Sequence, residues 1–474
     1  MSGLAATTAS GPKRSAPPGS YRELLIVAVP LMLATGSHSI QFFVDRLMLS
    51  RYSQEAVAAA SPAGMAVWTV MAFFMGTVGY VSTFVSQYYG AGQLDRVGRA
   101  IWQGLYLSVV SYFLILPSVF FAEDLFRWAG HPVEVQPLEA VYFRILILGA
   151  LPSFVCSALS GFFGGLGRTV VVMLVTVAVT ACNIVLDYAM IFGRFGFAAM
   201  GISGAAYATV LASVLGLVIY AVLFLARANR STFDTVRGAA PDLALVRRLL
   251  VFGVPYGLHS LIDAASWAFW VMILGGLGTL ALAASNIVFS INMLALMPAV
   301  GIGVATQILV GQHLGANRDD YAAQTTRRAA ILSLLVMLSI ALLYVYAPRP
   351  LLGLFRGRSA GEAYSRMENL GVTLLAFVAV YSIGDAITIV YSSALRGAGD
   401  TRFIMYTFLV LSWAALGLPT FLAVKVFHGG LYAVWGVATV YCIIASIVFY
   451  LRYRHGRWRT LRVIEPSPVE TPVV

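Results

Sequence analysis

The chain has 474 residues, 59% of them hydrophobic and 11% charged, with 31 Lys and Arg against 20 Asp and Glu for a net charge of +11. A soluble domain has no use for that much apolar surface, so the composition points to a membrane protein and excludes an ordinary soluble enzyme. The basic residues are spread through the loops, which excludes a nucleic-acid-binding face as the reason for the charge.

Residues 1–20 are rich in Ser, Ala and Pro and read as a disordered cytoplasmic tail. The first apolar run is long and lacks a cleavage site, so no cleavable leader is expected. Twelve apolar segments follow, at 25–49, 56–88, 101–122, 136–160, 169–193, 201–226, 248–275, 280–311, 329–347, 370–394, 403–424 and 430–451. Each is able to cross a hydrocarbon core of ~30 Å, which takes about 20 helical residues. The linkers are too short for a soluble domain, and the ~10-residue alternating strands of a membrane barrel are missing. Residues 461–474 read as a second cytoplasmic tail. Cys156, Cys182 and Cys442 all fall in apolar segments, without metal-ligand spacing or a disulfide framework, and are expected to pack.

With the N-terminus inside, 21 of the 31 basic residues fall on the inner side, which favours both termini in the cytoplasm. The loop near 348–369, with Arg349, Arg356, Arg358 and Arg366, is an outer exception.

The chain is internally duplicated. Shifted by 225, its halves align without gaps for some 65 residues: Pro30 meets Pro255, Gly76 meets Gly301, Gln87 meets Gln312, and VSQYYGA meets VGQHLGA. Further on, GLGRT at 165–169 resembles GAGDT at 397–401. The expected architecture is an all-α integral membrane protein with two six-helix lobes, 21–238 and 239–460. Six is even, so the lobes share orientation and are related by a pseudo-two-fold along the membrane normal.

Four acids interrupt the apolar segments: Asp45, Asp187, Asp263 and Asp385. A carboxylate at membrane depth costs about 2.5–3.5 kcal/mol even on a lenient scale, so it is kept for a cavity, a partner or an ion. Asn183 and Asp187 are four apart in ACNIVLDYAMIFG and share one helix face. By topology Asp45 and Thr209 lie at similar depth, and oxygen ligands of this kind suit a proton or a hard monovalent cation. Asp263 and Asp385 fall near mid-membrane in the second repeat. The repeats have diverged here: His38 stands where Asp263 would be, and Ala415 and Pro419 where Asn183 and Asp187 would be. His38 and His259 at membrane depth read as packing residues, as do most aromatics, although Trp68, Trp267, Trp270 and Tyr381 would suit a pocket for flat cations.

On VDRLMLS, VSQYYGAG, VGQHLGA, NIVLDYAMIFG, GISGAAYATV and DAITIVYSSALRGAGDT, the chain resembles the multidrug and toxic compound extrusion (MATE) family over nearly its whole length. The resemblance implies a V-shaped pair of lobes that export cationic or amphiphilic compounds against inward H⁺ or Na⁺. It assigns Asp45, Asn183, Asp187, Ala205 and Thr209 to a first-lobe cation and proton site, and Asp263 and Asp385 to a second-lobe acidic site. VDRLMLSRY departs from the family, which commonly has Gly two residues before the end of such a string. No cofactor is expected, and no metal beyond Na⁺ at Asp45 and Asp187. A monomer in a bacterial inner membrane, with lipid and a small organic cation as partners, completes the expectation. A lipid-linked saccharide flippase of the same superfamily is the nearest rival, though those usually have extra helices and more cationic cavities. A membrane-embedded enzyme would need a nucleophile or metal cluster, and the sequence has no HExxH or GxSxG. An ATP-driven pump would need a Walker A loop, also missing.

Overall fold

A computed structural model describes residues 16–355 and 362–465, and every regular element among them is helical. Of the expected tails and the outer loop, residues 1–15, 356–361 and 466–474 lie outside the described residues. In chain order the helices are α1 (Tyr21–Tyr52), α2 (Gln54–Gly90), α3 (Leu94–Trp128), α4 (Gln136–Leu148 with Ala150–Gly165), α5 (Thr169–Phe192), α6 (Ile202–Phe224), α7 (Leu243–Gly275), α8 (Thr279–Gly315), α9 (Asp319–Tyr346), α10 (Tyr364–Ala398), α11 (Thr401–Lys425) and α12 (Leu431–Arg454). Eleven are long and apolar enough to span a bilayer, and α4 makes the twelfth as a pair bent by 47°.

Side chains set where these helices start. Ser20, Ser53 and Asp242 accept the amide hydrogens of Glu23, Ala56 and Leu245 and so cap α1, α2 and α7. Prolines interrupt their backbone hydrogen bonds. A proline in a helix frees the carbonyl four residues earlier, which must find another donor in an apolar setting. Pro30 frees Ile26, whose carbonyl accepts from Thr169 Oγ1 at 3.5 Å. Pro152 frees Leu148, whose carbonyl accepts from Tyr112 Oη at 3.0 Å, beside the bend at Gly149 that the apolar pattern alone did not show. In α11 a π turn at Ser412–Gly417 absorbs Pro419.

The two repeats form two lobes, and the interior of the first runs on into the seam at Leu245 and Leu249 of α7. The first is built on Phe84, Phe162, Phe163 and Tyr220, the second on Trp270, Trp435, Tyr381 and Tyr441. Between them α1 packs on α8, and α2 on α7, so each lobe lends a helix pair to the seam. Leu24, Val27, Ala28 and Leu31 from α1 share one apolar cluster with Ile302, Ala305 and Ile308 from α8.

The seam obeys the duplication. A Cβ on Gly76 would meet Gly257 Cα at 2.9 Å, and one on Gly301 would meet Met32 Cα at 2.8 Å. Met32 and Gly257 are themselves equivalent under the shift of 225. Nearer the terminal end, a Cβ on Gly90 would lie 1.9 Å from the Gln312 carbonyl oxygen, and one on Gly315 would lie 2.0 Å from that of Gln87. The repeated glycines therefore let backbones touch across the pseudo-two-fold. The first and last described segments lie at this same end of the molecule: Gly19 bonds Glu23 and Arg328, and Val463 bonds Gln87. Moving away from it, the seam reaches Thr35, whose Oγ1 donates to the Met297 carbonyl at 3.3 Å. Beyond that point Ile40, Phe42, Phe43 and Trp68 are exposed.

Candidate functional site

Three helices of the first lobe bring their polar side chains to one place. Asn183 and Asp187 share a face of α5 and are both fully buried. Thr209 comes from α6, where its hydroxyl donates to the Ala205 carbonyl at 3.0 Å. Asp45 comes from the far half of α1. With its nitrogen turned toward the acids, the orientation that satisfies both amide atoms, Asn183 donates to Asp45 Oδ1 and Asp187 Oδ2, each at 3.2 Å. The amide also lies 3.5 Å from Thr209 Oγ1.

The two carboxylates are within hydrogen-bonding reach of each other. Asp187 Oδ1 is buried and finds no donor among the described residues. Two carboxylates this close in a low-dielectric setting share one proton or one small cation, because like charges there repel strongly. Arg46, next to Asp45, supplies the neighbouring positive charge.

Two residues of the site escaped the sequence reading. Gln41 lies 3.0 Å from the Asn183 amide, one helical turn before Asp45. The i,i+4 spacing from Gln41 to Asp45 was available as a clue. Tyr142, from the first half of α4, faces both acids. No local pattern pointed to Tyr142, because the packing of this half of α4 on α2 and α6 places it there.

The second-lobe acids gather separately. Asp263 on α7 faces Asp385 on α10, with Trp267 beside the first and Cys442 beside the second. Tyr441 faces both. Tyr381 is held by Asn292 at 3.3 Å and Tyr441 by Ser412 at 3.4 Å. Of the aromatics considered for a cation pocket, Trp270 and Tyr381 are buried packing residues, whereas Trp68 is 56% exposed. His259 is stacked on Tyr256 and set edge-on to Phe408, as a packing residue is. Pro419 occupies the position equivalent to Asp187, so the second repeat has a widened helical turn where the first has its buried carboxylate.

Two interlocked six-helix lobes with acids inside the membrane-spanning helices of each define a class of polytopic membrane transporter. The MatE family profile matches residues 30–189 and 255–420, one match in each repeat, and the chain belongs to that family. It is 29% identical over 440 residues to the probable multidrug resistance protein NorM of Bradyrhizobium diazoefficiens, covering 92% of this chain and 93% of that protein. It is 26% identical over 456 residues to a NorM of Thermotoga maritima, covering 96% of both. Among solved structures, the outward-facing conformation of a MATE family transporter of the MOP superfamily aligns with a TM-score of 0.84 at 20% identity, over 93% of this chain and 96% of that one. A MOP superfamily transporter from Pyrococcus furiosus aligns with a TM-score of 0.83 at 21% identity, over 94% and 97%.

Proposed function

We propose that this protein is a secondary antiporter that exports organic cations or amphiphilic drugs in exchange for H⁺ or Na⁺ by alternating access. The single observation that carries the coupling assignment is the Asp45–Asn183–Asp187 cluster: two carboxylates within reach of each other, bridged by one amide. Export of drugs is supported by the names of the relatives, NorM and MdtK multidrug resistance proteins. In this reading both termini are cytoplasmic, the lobes are closed at the cytoplasmic end, and the exposed side chains past Thr35 face an outer cavity. Residues 21–238 and 239–460 are the two moving bodies.

A proton or Na⁺ arriving from outside would neutralise the repulsion between Asp45 and Asp187. Coupling follows only if the ion binds the drug-occupied and drug-free cavity with different affinity. Asp45 sits on α1, the helix with Pro30, so a change at the acids reaches a helix that is already free to bend. Asp263 and Asp385, lined by Trp267 and Tyr441, would tune the range of cations accepted or serve as a second ion path.

The test is drug efflux from proteoliposomes driven separately by a pH gradient and by a Na⁺ gradient. Asp45→Asn and Asp187→Asn should each abolish gradient-driven efflux while the protein still inserts and folds, and the double variant should be no worse than either. Full efflux in either single variant would move the coupling site to Asp263 and Asp385. Replacement of those two by Asn without effect on any substrate would make them structural.

A further inference from the structure

We propose that residues 457–465 form a clasp across the two lobes at the terminal end of the molecule, which must let go of the first lobe before that end opens. After α12 the chain reverses at Gly456, with φ +82°, and Trp458 stacks on Tyr453 at 4.8 Å. Arg459 then bonds Asp319 at 2.8 Å on the second lobe. Val463 and Ile464, which an expected tail would leave in water, are buried in the apolar cluster that holds Tyr88 and Val97 of the first lobe with Leu245 and Leu249 of α7. The Val463 amide donates to Gln87 Oε1 at 2.9 Å. The Nε2 of that same Gln87 donates to the Gly397 carbonyl at 2.9 Å, so the clasp holds one of the bonds that join the lobes.

The duplication shows what the clasp supplies. Under the shift of 225, Glu23 corresponds to Arg248 and Tyr88 to His313. On one diagonal of the seam, Glu23 of the first lobe meets His313 of the second directly, at 3.2 Å. On the other diagonal the equivalent positions hold Arg248 and Tyr88, which bring no carboxylate between them. Glu465 provides it: one carboxylate oxygen takes Arg248 at 2.6 Å and the other takes the Tyr88 hydroxyl at 2.9 Å. The carboxylate that the second repeat does not have at Arg248 is thus supplied by Glu465. Opening at this face separates Tyr88 and Gln87 from Arg248 and Gly397. Glu465 then stays with Arg248 on its own lobe, and its bond to Tyr88 breaks.

This inference rests on the alternating-access reading only in taking the terminal end as one that opens. The test uses the full chain in lipid nanodiscs, without drug or gradient, carrying Ser86→Cys. Ser86 is buried in the seam against Gly311, so thiol labelling there reports opening of this end alone. Labelling is read by mass spectrometry at that site, which leaves the native cysteines in place. A chain ended after Thr460 should label at least threefold faster, and Glu465→Gln should label faster by a smaller factor. Glu465→Arg should also accelerate labelling, and adding Arg248→Glu should restore it toward the original rate. If the shortened chain does not fold, the Gln variant and the charge exchange decide. Labelling at the original rate in Glu465→Gln and in Glu465→Arg would overturn the clasp. Failure of the coupling site would show separately, as efflux that survives Asp187→Asn with the labelling result unchanged.

Discussion

Gln87 and Gln312, equivalent residues of the two repeats, make the same bond in opposite directions. Gln87 Nε2 donates to the Gly397 carbonyl at 2.9 Å, and Gln312 Nε2 donates to the Gly165 carbonyl at 2.8 Å. Gly165 and Gly397 are themselves the matched glycines of GLGRT and GAGDT. Each lobe therefore reaches into the other with one amide, and the pseudo-two-fold passes between them.

Removing either amide leaves a buried carbonyl without a donor, which costs about 1–3 kcal/mol. Gln87 also accepts from Val463, whereas among the described residues Gln312 makes no bond to the clasp. Gln87→Ala is therefore expected to loosen the terminal end more than Gln312→Ala. Thermal unfolding in detergent and labelling at Ser86→Cys measure both. Equal effects would contradict the asymmetry.

The glycines next to these residues give a steric prediction. A methyl on Gly90 or Gly315 would come within about 2 Å of a carbonyl oxygen of the other lobe. Overpacking of this kind costs roughly 1–3 kcal/mol. The clash exists only while the lobes touch, so Gly90→Ala and Gly315→Ala should shift the molecule toward the state open at this end. Faster labelling at Ser86→Cys in a protein that still folds is the expected result. Unaltered labelling would mean that the seam relaxes without parting.

Asn183 is expected to matter more than its neutral side chain suggests, because it is the donor between two acids. A hydrogen bond to a charged group contributes about 1.5–3 kcal/mol, so Asn183→Ala should cut gradient-driven efflux roughly ten- to a hundredfold. Gln41→Ala, which removes a neighbour of the amide but no donor to the acids, should cost less. Initial efflux rates in proteoliposomes check the order of the two.

The clasp should not be an acid switch. Burial raises the Glu465 carboxyl, but its own backbone amide, Tyr88 and the charge and hydrogen bonds of Arg248 outweigh this and hold it below the usual 4.5. A carboxylate lowered in the folded state contributes stability that is fully present above its ordinary value and is lost only as pH falls through the lowered one. Arg96, near Tyr88, adds to the positive surroundings. The difference in labelling between the unmodified chain and Glu465→Gln should stay constant from pH 8 to about pH 5.5. Reading the difference cancels what the Glu23–His313 pair contributes on the other diagonal. A difference that collapses between pH 7 and 5.5 would mean that Glu465 titrates inside that window.

The sequence by itself determined the membrane class, the twelve spans and the duplication, because apolar length and repeated glycines are local properties of the chain. It also singled out Asp45, Asn183, Asp187 and Thr209, since polar groups in an apolar helix stand out wherever they point. Tertiary structure decided which of these meet. Asn183 bridges the two acids only because α1 and α5 pack side by side, and Tyr142 joins them only because the first half of α4 packs on α2 and α6. It also decided that Val463, Ile464 and Glu465 are part of the seam. Their short polar surroundings read as a tail, and nothing local reveals that Arg248 and Tyr88, one from each lobe, come together with no carboxylate of their own. That need arises from the pairing of two lobes across an axis, a relation between residues hundreds of positions apart that no window of the sequence contains.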